Sequence, residues 1–390
     1  MTRDAHAVVS ARGARRWQGG HPWIFRSDIV RQPAVAPGAV AVRDQQGRAL
    51  GWALWSPTSE IALRLLDRSP EAAIDATWWH EGIARAVARR APLARDTTAY
   101  RLVHGEGDGL PSLIADRYDR WVVVQLLSAG AEAFRAEIVA ALRALTGAEG
   151  ILARHDVSVR AREGLERAVE PLWGVVPEEI EVVEHGVRYV AAPHTGQKTG
   201  AFLDQRENRV LAGGVARGRA LDLFSYHGSF ALHLAPHAEQ VTAVDSSAAA
   251  LERASENAAL NGLTNVSLVN ADVFDFLRAR VKEGARFDTI VLDPPAFAKN
   301  RASLEGAVRG YRDVNLHAMR LLAGGGLLFT ASCSYHLTKA HFLEMLRDAA
   351  DDAGRRMILR ALTAQPLDHP EVVTIPETGY LKGALLEAGD

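Results

Sequence analysis

Apolar and polar positions follow three successive rhythms along this chain. The first runs to about residue 68. In "PGAVAVRDQQGRALGWALW" apolar residues alternate over Ala39–Arg43 and again over Ala49–Trp55. Between them lies "DQQG", a polar turn ending on Gly47, so the pattern predicts a hairpin. "SEIALRLL" predicts a third strand. Upstream, "RRWQGGHPWIF" mixes turn glycines, Pro22, two tryptophans and a phenylalanine, too irregular for one element. Residues 1–68 therefore read as a small β domain.

The second rhythm, 69–190, is mixed. "IDATWWHEGIARAVARRAPL" and "AFRAEIVAALRAL" carry helical spacing, "LPSLIADRY" and "WVVVQLL" read as a hairpin joined by "DRYDR", and "GILARHD" as a strand. This is an α+β middle domain with no identifiable chemistry. Its glycine-rich "GEGDGLP" lacks the Lys-Ser/Thr ending of a phosphate loop and reads as a turn. The third rhythm, 191–390, alternates strand and helix. "RALDLFS", "QVTAVDS", "VSLVNAD", "FDTIVLDPP" and "GGLLFTASCS" are nearly continuous apolar runs, separated by stretches such as "SAAALERASENAALNG" and "SLEGAVRGYRDVNLHAMRLL". Strands apolar on both faces belong to a parallel sheet covered by helices, an α/β fold.

Composition narrows the class. At 48% hydrophobic and 24% charged, the chain is that of a globular protein. No run of 18 or more apolar residues predicts a membrane span, and the basic N-terminus lacks a signal core, so a cytoplasmic location is expected. A single cysteine, Cys333, excludes an internal disulfide framework and a cysteine-built zinc cluster, and no His/Asp/Glu spacing suggests a metal site. Net charge is −2, yet residues 1–70 hold ten arginines against five acids. Aromatic rings stack on bases and guanidinium groups bind phosphates, so this segment is a candidate RNA surface. Arg15 and Arg16 are its candidate RNA contacts, while Trp23 and Phe25 read as core.

In parallel α/β sheets ligands bind beyond the carboxyl ends of the strands. Reactive side chains stand at five consecutive such ends: Asp222, Asp245, Asp272, Asp293 and Cys333. A dinucleotide site would want Gly-x-Gly-x-x-Gly after the first strand. Here the turn is Phe224, Ser225, Tyr226, His227, Gly228, too bulky for a tightly held pyrophosphate but suited to a phosphate-free cofactor. S-adenosyl-L-methionine fits. Asp245, followed by Ser246, would bond its ribose, Asp272 its adenine amine with Val273 as apolar neighbour, and Asp222 would stand near its charged amino-acid end.

"LDLFSYHGSFALHLA", "AVDSSAAALERASENAALNG", "NADVFDFL" and "IVLDPPAFAK" resemble consecutive motifs of the class I, Rossmann-like methyltransferases. Together with "GQKTGAFLDQREN" and "TASCSYHLT", and with an N-terminal segment similar to a PUA β barrel, the chain resembles the PUA-domain-containing 23S ribosomal RNA large-subunit cytosine-C5 methyltransferases over nearly its whole length. The resemblance implies a PUA RNA-binding domain over 1–68, a middle domain over 69–190 and a methyltransferase domain over 191–390 with an antiparallel edge strand. It also implies that Asp204, Gln205 and Arg206 border the cofactor, that ribosomal RNA or a large-subunit assembly intermediate is the partner, and that the chain forms a homodimer.

It explains the lone cysteine too. Cytosine C5 is a poor nucleophile until a thiolate adds at C6. Cys333, between Ser332 and Ser334 and near His336, would be that thiolate. Asp293 would engage the pyrimidine N3 and exocyclic amine and border the cofactor as well. Phe297 and Lys299 would contact the flipped nucleotide. Two alternatives stay open: guanine N7 methylation, which needs no thiol, and a non-catalytic RNA-binding assembly factor.

Overall fold

A computed structural model describes residues 6–297 and 304–389. The described chain divides into two compact units. The first runs to Val182 and adds Ala191–Leu203 and Leu367–Thr378; the second comprises Val183–Val190, Asp204–Pro366 and the residues from Gly379 onward.

The first unit opens with six strands: β1 (His6–Val9), β2 (Trp23–Phe25), β3 (Ile29–Arg31), β4 (Gly38–Asp44), β5 (Ala49–Trp55) and β6 (Ile61–Asp67). They form one sheet in the order β2-β6-β5-β4-β1-β3. β4 and β5 pair antiparallel, as the alternation predicts. Asp44 closes their turn by accepting from the backbone N–H groups of Gln46 and Arg48, each at 2.9 Å. The stretch expected to be irregular begins in helix α1 (Ala11–Gln18) and ends in β2. Ser10 caps α1 by accepting from Gly13 N, and the helix buries Ala14 and Trp17 beside Ile24, Val40 and Trp55.

A second sheet in the same unit has the order β11-β10-β9-β8-β7. Its strands are β7 (Ala99–His104), β8 (Leu113–Tyr118), β9 (Trp121–Leu126), β10 (Gly150–Arg154) and β11 (Val169–Gly174). The β8–β9 hairpin turns on Asp119 and Arg120 alone, with Asp119 at φ 52°, so Asp116 to Tyr118 of the expected loop are strand. Helices α2 (Ala76–Arg90) and α4 (Arg135–Thr146) supply Trp79, Ile83, Ile138 and Leu142 to a core with Val122, Val124 and Ile151; α3 (Ala129–Glu132) and α5 (Val159–Arg162) are short connectors. The 105–111 loop is a turn around the buried carboxylate of Asp108, which Arg90 grips with both guanidinium nitrogens at 2.6 and 2.8 Å.

A hairpin, β12 (Ile180–Glu184) and β13 (Val187–Ala191), precedes the large sheet. That sheet has β14 (Arg219–Leu223), β15 (Gln240–Asp245), β16 (Val266–Asn270), β17 (Phe287–Leu292), β18 (Leu322–Ser332), β19 (Met357–Thr363) and β20 (Lys382–Ala388) in the order β16-β15-β14-β17-β18-β20-β19. The first five strands pair parallel. β20 runs antiparallel to β18 and to the edge strand β19, so the sheet is mixed as expected, with its antiparallel strand one place inside the edge. Two core clusters flank the sheet, one with Leu223, Leu292, Tyr311, Met319 and Phe342, the other with Ala231, Val241, Val291 and Phe329. Helices α6 (Arg206–Val215), α7 (Ser229–Leu234), α8 (Ala248–Leu260), α9 (Val273–Lys282), α10 (Leu304–Leu321) and α11 (Lys339–Ala353) connect the strands. Strand order reverses between β14 and β17, the place where a doubly wound sheet opens a crevice.

Candidate active site

The parallel register aligns Leu223, Val244, Val269, Leu292 and Thr330 in one row across the sheet. Asp222 stands one residue before that row, Asp245 and Asp293 one residue after it, and Asp272 and Cys333 three after it. The five strand-end groups therefore share one rim, and Asp222 and Asp293 belong to the two strands at the reversal.

Each acid is held differently. Asp222 is buried and accepts from Ser225 Oγ at 2.6 Å and from Ala231 N at 2.9 Å. Burial pushes its carboxyl up to about 7 against those two hydrogen bonds, and the negative charges of Asp293 and Asp245 push the same way. Asp245 accepts from Tyr226 N at 2.8 Å and Ser247 N at 2.9 Å, tying the first turn to the second strand. Ser246 is exposed beside it. Asp272 is exposed and caps α9, accepting from Phe274 N and Asp275 N, while Val273 behind it is core. Asp293 accepts from Gln205 Nε2 at 2.7 Å, and Asn208 Nδ2 donates to Gln205 Oε1 at 2.6 Å. Asp204 is buried and accepts from the Tyr380 hydroxyl at 2.8 Å; Arg206, the first residue of α6, is buried as well.

The turn after β14 is unusual in its backbone. Phe224 and Tyr226 both lie at positive φ, 62° and 51°, with Gly228 at 84°. Bulky aromatic residues rarely occupy that region. A Cβ on Gly228 would meet Ala254 Cβ at 3.0 Å, so glycine lets the turn pack on α8. His227 is buried against Tyr189, and burial pulls its pKa down to about 4, which keeps the ring neutral. Phe224, Phe274, Phe297 and Tyr311 form a chain of ring contacts along the rim, with centroids 4.6 to 6.5 Å apart.

Cys333 follows the last residue of β18 and is partly exposed, whereas Ser332 and Ser334 are fully buried. Tyr311 joins this strand end to the turn after Asp293. Its hydroxyl is 2.9 Å from Ser334 Oγ, donates to Pro295 O at 3.3 Å and accepts from Phe297 N at 3.4 Å. Lys382 is buried and donates to Ser334 O at 2.6 Å. The sequence reading missed both residues. Tyr311 sits in the apolar stripe of α10 and reads as core. Lys382 had a signal: a lysine opening the apolar strand "KGALLEA" is rarely buried without a task.

The RNA candidates Arg15 and Arg16 belong to the first unit. Arg15 is exposed on α1. Arg16 is half-buried, paired with buried Asp28 at 3.1 Å and lying over the Phe25 ring at 4.8 Å. Ile24 is core, while Trp23 and Phe25 are half-buried. Phe297 is half-buried on Tyr311, and Lys299 lies outside the described residues. Among the described residues no group of three or more His, Cys, Asp or Glu could hold a metal ion, and no helix is long and apolar enough to cross a membrane.

The donor set suits S-adenosylmethionine. Burial first, and the charges of Asp293 and Asp245 after it, raise the Asp222 carboxyl, and this gathering of acids favours a cationic sulfonium and ammonium and repels a pyrophosphate. Sheet order, reversal point and acid rim together define a class I S-adenosylmethionine-dependent methyltransferase. The family model for S-adenosylmethionine-dependent methyltransferases matches residues 100–382, and that for PUA-like domains matches 8–68. The chain belongs to the ribosomal RNA large subunit methyltransferase I family. It is 42% identical to the member from Klebsiella pneumoniae (strain 342), with 93% of each chain covered. It is 41% identical to that of Tolumonas auensis, covering 94% of this chain and 95% of the relative, and 40% identical to that of Escherichia coli O9:H4, covering 93% and 94%. The fold is shared with a protein from Streptococcus mutans assigned as an S-adenosylmethionine-dependent methyltransferase (TM-score 0.81, 23% identity, 98% and 99% covered). A methyltransferase structure complexed with SAH gives TM-score 0.84 at 24% identity over the same shares.

Proposed function

We propose that this chain methylates C5 of a cytosine in 23S ribosomal RNA, with Cys333 as the nucleophile. The observation that carries the reading is the joint at Tyr311: Ser334, next to a partly exposed thiol, and the Asp-Pro-Pro turn are both bonded to one hydroxyl at the rim of the crevice. S-adenosylmethionine, when bound, supplies an electrophilic methyl group. Asp204, Gln205, Arg206, Asp222, the 224–228 turn, Asp245, Ser246, Asp272 and Val273 are the residues that would hold it.

Cys333 adds through its sulfur to C6, and the electron pair of the C5–C6 double bond makes C5 nucleophilic. Asp293, oriented by Gln205, engages N3 and the exocyclic amine and stabilises the charge that addition places on the ring. Once C5 carries the methyl, loss of its proton restores the double bond, breaks the C6–S bond and returns the thiolate. Phe297 and Lys299 contact the flipped nucleotide, and Arg15 and Arg16 contact RNA from the PUA-like domain at 1–68. Residues 69–190 act as a middle domain, 191–390 carry the chemistry, and the protein works in the cytoplasm as a homodimer on ribosomal RNA or an assembling large subunit.

Nucleoside mass spectrometry of ribosomal RNA methylated by the wild type and by Cys333→Ala tests the reading. A 5-methylcytidine product that disappears in the variant is expected. Undiminished methylation by Cys333→Ala, with 7-methylguanosine as product, would replace cytosine C5 by guanine N7.

A further inference from the structure

Lys382 occupies a place that the chemistry above does not use. It is the first residue of β20, nine-tenths or more buried, and it pairs in register with Ser332 across β18. Its Nζ donates to Ser334 O at 2.6 Å and to Tyr380 O at 2.7 Å. Ser334 directly follows Cys333, so a buried ammonium is anchored on the backbone next to the thiol, while the register pairing with Ser332 sets its strand beside the same turn. Both of these acceptors are neutral carbonyl oxygens.

We propose that Lys382 is a positioning residue for Cys333: it clamps the 332–334 turn and, by its charge, biases the thiol toward thiolate. This rests on the cytosine-C5 reading for its purpose, because an ionised sulfur serves a nucleophile. A cation close to a thiol stabilises the charged form, and weak screening in a buried setting strengthens the effect. Tyr311 from α10 faces the thiol electrostatically, His336 follows three residues along the chain, and Asp293 directly follows β17, the strand that pairs with β18. Tyr311 is electrostatically coupled to Cys333, and burial raises its phenol, so it stays neutral at working pH. A carboxylate brought near the thiol, as the proposed role of Asp293 requires, would oppose thiolate formation, which gives a cation at Lys382 a physical role.

The single cysteine makes the test clean, since alkylation by iodoacetamide reports Cys333 alone. The thiolate displaces iodide, so the rate follows the ionised fraction. The full-length protein is alkylated over pH 5.5 to 10, without RNA, as wild type, Lys382→Met and Lys382→Gln. The wild-type midpoint is expected below the ordinary thiol value of about 8.5. Both variants should raise it by about one pH unit, slowing alkylation near neutrality about tenfold. Gln keeps a donor for Ser334 O, so a shift in Gln as well as Met assigns the effect to charge. A wild-type midpoint at or above about 8.5 overturns the proposal even if the variants do not fold. An unshifted midpoint in a folded Lys382→Gln overturns it too. Activity of Cys333→Ala decides the cytosine-C5 reading separately, because alkylation involves no RNA.

Discussion

The hydroxyls of Tyr311 and Ser334 meet at 2.9 Å inside the protein, which couples helix α10 to the strand end that carries Cys333. Through Pro295 O and Phe297 N the same hydroxyl holds the turn that follows Asp293. One phenol thus sets the spacing of the two candidate catalytic residues. Tyr311→Phe keeps the ring in the core but takes a partner from buried Ser334 Oγ and from the part-buried Pro295 O and Phe297 N. The expected loss of stability is about 1–3 kcal/mol, read by chemical denaturation. Methyl transfer should fall at least tenfold while S-adenosylmethionine affinity, measured by calorimetry, stays within a factor of two or so.

Asp222 gives a pH signature. Its folded pKa, about 7, exceeds the ordinary 3.8, and burial is the first cause. The folded form therefore holds a proton that the unfolded chain has released. The stabilising contribution is complete below about pH 4 and is lost as pH rises through about 7. Denaturation of wild type and Asp222→Asn at pH 5 and pH 8 should show the wild type losing more stability than the variant between the two. Equal losses would mean that Asp222 ionises normally in the fold.

Glu184 and Arg209 form a buried bidentate pair, both contacts at 2.7 Å, with His233 Nε2 at 3.1 Å from the same carboxylate. Burial alone would raise the Glu184 carboxyl, but the Arg209 charge and the His233 hydrogen bond hold it far below the usual range. The pair fastens the end of β12 to α6, and α6 starts directly after Gln205. Glu184→Ala leaves a buried guanidinium without its partner and should destabilise the fold by about 3–5 kcal/mol. Thermal melting would register this as a fall of several degrees.

The two α1 arginines should separate in RNA binding. Arg15 is exposed, so Arg15→Ala should weaken RNA binding and lower the slope of log affinity against log salt by about one. Arg16 is engaged with Asp28 and Phe25. Arg16→Ala should therefore lower the melting temperature as well as the affinity. Filter binding over a salt series, with melting curves alongside, checks both.

Much of the α/β unit was legible in the chain. Strands β14 to β18 are apolar runs that stop on Asp222, Asp245, Asp272, Asp293 and Cys333 or close beside them, and strand ends are where this topology binds ligands. The short strands β1 and β3 and the helix α1 were not. Each has few residues, and β1 pairs parallel with β4, a distant partner that leaves no alternation to read. The "DRYDR" loop was overestimated because charged residues can sit in a strand when they pair, as Asp116 does with Arg101 at 2.8 Å.

The amino-acid sequence by itself determined the class of fold, the acid rim and the single thiol, because burial on both faces of a strand and the residues at its end are local properties of the chain. Tertiary structure alone decided how those groups are tuned. It put Asp222 within reach of the charges of Asp245 and Asp293, brought the Tyr380 hydroxyl to Asp204, and bonded both Tyr311 and Lys382 to Ser334, next to Cys333. These partners come from helices and strands far apart in the chain, and the order in which strands pair, rather than any local spacing, selects them.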